Sequence, residues 1–88
     1  MATSTQYDHA TLSIIWAKAQ RVQGYDENVY RKDVYETWMQ WNEYGNTSSL
    51  YGWEVDHIIP LARNGSESLS NLQPLQWENN RKKSDNRL

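Results

Sequence analysis

The chain has 88 residues, no cysteine and a formal net charge of −2. That length fits one domain, and the missing cysteines exclude disulfides and any Cys-bound zinc. With only His9 and His57, no histidine-built structural zinc is expected either, and the charge is not that of a protein binding nucleic acid through bulk positive potential.

A domain this small buries a limited share of its surface. Five Trp and six Tyr, against no Phe, must supply much of the core. Both types carry polar tips, so several should sit at the core margin with some tips in water. No apolar run approaches the roughly 18–20 residues that span a bilayer. The start lacks a basic n-region and an apolar h-region, so no signal peptide is expected and a cytoplasmic location is the default.

Residues 1–6 are small and polar and should fray. Asp8 then reads as an N-cap, with Tyr7 and Leu12 at the spacing of a hydrophobic staple. Leu12, Ile15, Trp16, Ala19 and Val22 form one helical stripe ending before Gly24, which predicts a core-facing helix over about 9–22. Residues 24–33 read as a loop. Residues 34–44 fit a helical stripe or a strand; the aromatic and β-branched content favours a strand over about 36–41. The turn chemistry of Gly45–Ser49 would pair it with the strand entered at Gly52-Trp53, as a β-hairpin.

Residues 53–59 predict a strand stopped by Pro60. Residues 61–70 predict a loop hinged at Asn64-Gly65, and residues 71–75 a second strand. A helix follows over about 76–84, with Glu78 and Lys82 at i,i+4 and its basic residues toward the C-terminal end. The second half thus reads strand, loop, strand, helix.

That unit collects the side chains a phosphodiesterase needs. Hydrolysis requires a base working near neutral pH, and His57 is the natural one. It also requires charge neutralisation, which a hard divalent cation on oxygen ligands supplies. Asp56 offers a carboxylate and Asn80, from the facing helix, a carbonyl. Neighbouring strand residues point to opposite faces, so Asp56 and His57 share one site only if the strand twists, bulges or ends there.

The runs Glu54-Val55-Asp56-His57-Ile58-Ile59-Pro60, Asn71-Leu72-Gln73-Pro74-Leu75 and Asn79-Asn80-Arg81-Lys82-Lys83-Ser84-Asp85 resemble the HNH endonuclease family. The resemblance is strong over about 51–85; Tyr30-Arg31-Lys32-Asp33 and Tyr44-Gly45-Asn46 extend it toward small bacterial or phage members without zinc-binding cysteines. It implies an α+β fold: a ββα-metal (His-Me finger) core over about 53–85, an N-terminal scaffold helix and a preceding β-hairpin, in one domain spanning 1–88. It implies a Mg²⁺- or Mn²⁺-dependent endonuclease acting on DNA, nicking one strand with low intrinsic specificity.

The resemblance implies His57 as general base, Asp56 and Asn80 as metal ligands, and Asn71 as the residue steadying the loop and His57. Glu54, two residues before Asp56, is an added acid supporting the metal indirectly or through water. Lys83, one helical turn after Asn80, with Arg81 and Lys82, is placed to contact phosphates. Many members carry two CxxC pairs for zinc; here Gln76 and Asn79 stand where one pair would fall, and the bulky Tyr35-Glu36 replaces a small pair.

Residues 1–53 carry six acids and four bases, and residues 54–88 five of each. The basic footprint of Arg81, Lys82, Lys83 and Arg87 is small and terminal. It predicts weak, salt-sensitive binding to a few phosphates, with a protein partner or a second copy needed for double-strand cleavage. The acidic balance keeps open a catalytically idle binding or inhibitor module on the same fold. Trp38, Trp41, Trp53 and Trp77 are expected in the core and not as base-stacking platforms.

Overall fold

The computed structural model describes residues 7–86; residues 1–6, expected to fray, and Arg87 lie outside that range. Helix α1 (His9–Trp16) starts where the sequence places it, with the Asp8 carboxylate accepting from the Thr11 N–H at 2.8 Å. It ends at Trp16, well short of residue 22. The cause is tertiary. Arg31 donates to the carbonyls of Ala17 and Ala19 at 3.1 Å each, and Gln20 exchanges two backbone hydrogen bonds with Lys32. These partners remove the backbone from helical pairing. Gly24 (φ +89°) therefore serves a turn closed by Tyr25 N–H on the Val22 carbonyl, not a helix cap.

Strands β1 (Tyr30–Lys32) and β2 (Trp38–Gln40) form an antiparallel hairpin with Arg31 opposite Met39. This corrects the expected pairing of the second strand with the segment at Trp53. The turn that decides it belongs to Asp33, whose Oδ1 accepts from the N–H groups of Tyr35 and Thr37 at 2.9 Å each, with Glu36 left-handed at φ +64°. The chain from Trp41 to Gly52 is a 3₁₀ turn and further turns. It is tied to β2 by Gln40 N–H on the Tyr51 carbonyl and to the later strand by a Tyr44–Trp53 bridge and the Trp53 ring N–H on the Trp41 carbonyl.

Strands β3 (Trp53–His57) and β4 (Leu72–Gln76) pair antiparallel, with Asp56 opposite Gln73 and His57 opposite Leu72. Helix α2 (Trp77–Ser84) leaves β4 without a connecting loop. The Gln76 side chain caps it, Oε1 accepting from the N–H groups of Glu78 and Asn79. Helix α2 packs on both strands and α1 on β4. The loop between β3 and β4 holds two 3₁₀ turns, Leu61–Arg63 and Leu69–Asn71.

The core is Ile15, Trp16, Ala19, Met39, Trp53, Leu72 and Leu75. Trp53 is fully buried, its ring 5.1 Å from that of Trp16, 5.8 Å from Trp41 and 4.9 Å from Tyr44. Of the four tryptophans expected in the core, Trp53 is buried, while Trp38, Trp41 and Trp77 are half-buried at its margin. Trp16, Trp53 and Trp77 donate their ring N–H to the carbonyls of Glu27, Trp41 and Ser49.

A buried clasp ties the hairpin to α2. Asp33, 1% exposed, accepts at Oδ2 from the Gln76 N–H (3.0 Å) and the Asn79 side-chain amide (2.9 Å), and that amide also reaches Thr37 Oγ1 (2.8 Å). Gln76 and Asn79 are the positions at which the sequence resemblance would have set a zinc-binding pair. Here a hydrogen-bonded carboxylate joins the same elements.

Candidate active site

Strand alternation puts Glu54 and Asp56 on one face of β3, and that face meets α2. Two residues of strand advance about 6.6 Å and three of helix about 4.5 Å, so the Glu54/Asp56 pair matches the Asn80/Lys83 pair. Glu54 Oε1 accepts from Asn80 Nδ2 at 2.8 Å, and its Oε2 from Arg81 at 3.3 Å. Asp56, 7% exposed, accepts at Oδ2 from Lys83 Nζ at 2.6 Å and from Gln73 Nε2 at 2.9 Å. Glu54 thereby fixes the Asn80 carboxamide, turning its carbonyl oxygen away from the carboxylate.

His57 follows the alternation and its ring turns to the β3–β4 loop, where Nε2 lies 2.8 Å from Glu67 Oε1. β3 nonetheless ends at His57. Asp56, His57, Asn80 and Lys83 all line one open groove of about 620 Å³, with Leu61 and Arg63 on its rim.

Asn71 is buried and works on backbone. Its Oδ1 accepts from the Ile59 N–H at 2.8 Å, and its Nδ2 donates to the carbonyls of Ile59 (3.0 Å) and Ser66 (2.8 Å). Its own carbonyl accepts from the Ile58 N–H, carrying the β3–β4 ladder one step further. Asn71 thus holds the chain just beyond His57 without touching the imidazole. Gly65 completes the knot: a Cβ there would lie 1.7 Å from the Ile59 carbonyl oxygen.

The basic residues divide. Lys83 and Arg81 are engaged with Asp56 and Glu54, while Lys82 is exposed. The charge of Glu54, after burial, also pushes the Tyr44 phenol above its ordinary 10.0. His9 is exposed, its ring edge-on to Trp41 at 5.5 Å.

The donor set suits a hard divalent ion. Asp56 Oδ1 and Asn80 Oδ1 take no hydrogen bond from the described residues, and no buried side-chain oxygen is left unpartnered, so both oxygens remain accessible. Among the described residues no three His, Asp or Glu side chains gather to hold an ion. An ion here would have few protein ligands and keep its waters, the habit of Mg²⁺. No thiolate or imidazole set favours zinc.

Sequence reasoning missed Gln73, Glu67 and the Asp33 clasp. Gln73 was recoverable in principle, because antiparallel pairing sets it opposite Asp56. Glu67 lies in an irregular loop and carried no periodic signal.

The described residues hold no helix long and apolar enough to cross a membrane. A family model described as HNH endonuclease matches residues 42–86, a span that takes in β3, β4, their loop and α2. No curated protein and no solved structure matches the chain.

Proposed function

The chain belongs to the HNH endonuclease family, and we propose that it is a divalent-metal-dependent endodeoxyribonuclease that nicks DNA with low intrinsic specificity. The observation that carries this reading is the convergence of Asp56 and Asn80 on one groove with His57. The whole chain acts as one nuclease domain, with α1 as scaffold.

Asp56 and Asn80 would hold Mg²⁺ or Mn²⁺, which as a Lewis acid stabilises charge on the phosphoryl and leaving oxygens. His57 takes the proton of the attacking water. Its contact with Glu67 favours the tautomer protonated at Nε2 and leaves Nδ1 as the accepting nitrogen. Asn71 keeps the chain beyond His57 fixed, so the imidazole is presented in one place. Glu54 orients Asn80 through its amide. Lys82 and Arg81 neutralise nearby phosphates. One such site cuts one strand; a second copy or a partner protein would be needed for both.

The test is nicking of supercoiled plasmid with Mg²⁺, Mn²⁺ or EDTA, by wild type, His57→Ala and Asn80→Ala. Metal-dependent nicking lost in both variants is expected. An intact plasmid under every condition would favour an idle binding or inhibitor module. Nicking retained by His57→Ala would remove His57 as the base.

A further inference from the structure

An ammonium group has three N–H donors and no acceptor. All three of Lys83's are taken: Nζ lies 2.6 Å from Asp56 Oδ2, 2.8 Å from the His57 carbonyl and 3.1 Å from the Ile58 carbonyl. These oxygens come from consecutive residues at the end of β3, while the ammonium comes from α2. One carboxylate and two carbonyls around a positive charge are the surroundings a hard cation takes. The helical spacing of Lys83 from Asn80 predicts a phosphate contact, yet a fully used tripod has no donor left for a phosphate.

Asp56 needs a cation. Its side chain is 8% exposed, and among the described residues its one hydrogen-bond donor apart from Lys83 is the neutral amide of Gln73. A buried carboxylate without adequate compensation is costly. Lys83, its side chain 22% exposed, supplies the charge from the edge of the groove. A divalent ion on the same carboxylate would be a second positive charge beside the ammonium, and like charges repel strongly in a partly buried setting. The two cations compete for Asp56.

We infer that Lys83 is a positioning residue whose ammonium stands in for the divalent ion in the metal-free protein. It neutralises Asp56, ties down the strand end bearing His57, and gives way when the ion binds. Its donors are then free for a substrate phosphate, so one residue serves both states in turn. This rests on the metal site proposed above.

The test uses the full chain with Mn²⁺ as probe, its binding read by electron paramagnetic resonance, on wild type, Lys83→Met and Asp56→Asn. Lys83→Met should bind Mn²⁺ about ten-fold more tightly or better, because a competing charge is gone, whereas Asp56→Asn should bind far more weakly. Metal-free Lys83→Met should also unfold at lower denaturant and gain more from Mn²⁺ than wild type. A Lys83 that only contacts phosphate, or only packs, leaves the Mn²⁺ dissociation constant unchanged; equal affinity in wild type and Lys83→Met overturns the inference and leaves the metal site standing. If neither protein binds Mn²⁺, the metal reading falls with it. A measurement on wild type needs no substitution: in ¹⁵N NMR the Lys83 ammonium should show protons protected from exchange without metal and lose that protection as Mg²⁺ is added. Protection that persists at saturating Mg²⁺ overturns the inference.

Discussion

Replacing Asp33 with alanine removes the centre of the clasp. Four N–H donors lose their acceptor: those of Tyr35 and Thr37 in the hairpin turn, the Gln76 backbone and the Asn79 amide. The two turn donors are partly exposed and can turn to water. Asn79 keeps Thr37 Oγ1. The Gln76 N–H is buried and would be orphaned, at a cost of about 1–3 kcal/mol. Loosening the turn and the start of α2 adds a further ~1–2 kcal/mol in lost charge-assisted bonds. The sum is about 2–5 kcal/mol, in a chain whose total stability should lie near 4–13 kcal/mol at about 0.05–0.15 kcal/mol per residue. At about 4–8 °C per kcal/mol the melting temperature should fall by roughly 8–40 °C. Asp33→Asn should be nearly as damaging, since its new amide would face the Gln76 N–H and the Asn79 amide, donor against donor. The assay is urea unfolding followed by tryptophan fluorescence, with an Asp33→Ala/Asn79→Ala double-mutant cycle to isolate the pair. A loss below about 1 kcal/mol with an unchanged m-value would refute the view that this clasp holds the hairpin to α2.

Two further outcomes are expected. Glu67→Gln keeps the side chain's length but removes the charge facing His57; nicking should slow by about ten-fold or more, while the unfolding midpoint moves little because Glu67 is half exposed. An unchanged rate would dismiss Glu67 as an orienting group. Tyr44 is raised above 10.0 by burial first and Glu54 second, so the folded form holds its proton where the unfolded chain releases it. That contribution is fully present below 10.0 and is lost as pH rises through the folded value. Unfolding midpoints taken from pH 8 to 11 should show an alkaline decline that Tyr44→Phe makes shallower.

What the sequence disclosed follows from where the deciding interactions lie. The start of α1 was legible because Asp8 and Thr11 are three residues apart. The order β3, loop, β4, α2 was legible because Pro60, the strand formers and the basic helix end are local signals, and its limits shifted by one or two residues. The end of α1 was not, because Arg31 takes its carbonyls from outside the helix. The partner of β2 was misread for a related reason. Gly45–Ser49 carries stronger turn chemistry than Asp33–Thr37, but the latter is closed by a carboxylate that also bonds Gln76 and Asn79, far along the chain. At the site the residue types were readable, and their mutual ties were not. Glu54–Asn80 and Asp56–Lys83 exist only once α2 lies against β3.

Among the described residues two carboxylates are buried and compensated in different ways, and the difference separates scaffold from candidate site. Asp33 is met by four uncharged N–H groups, three of them backbone, all fixed by the secondary structure around them. No single donor can leave without opening the hairpin or the start of α2, so this carboxylate is committed to the fold. Among the described residues Asp56 is met by one neutral amide and one ammonium at the end of a four-carbon stem. That ammonium can withdraw at the cost of its bonds to the His57 and Ile58 carbonyls, leaving the strand ladder paired, provided another cation replaces its charge. A buried acid whose compensation is exchangeable is suited to holding an ion that arrives and departs. Of the two, only Asp56 borders the groove shared by His57 and Asn80.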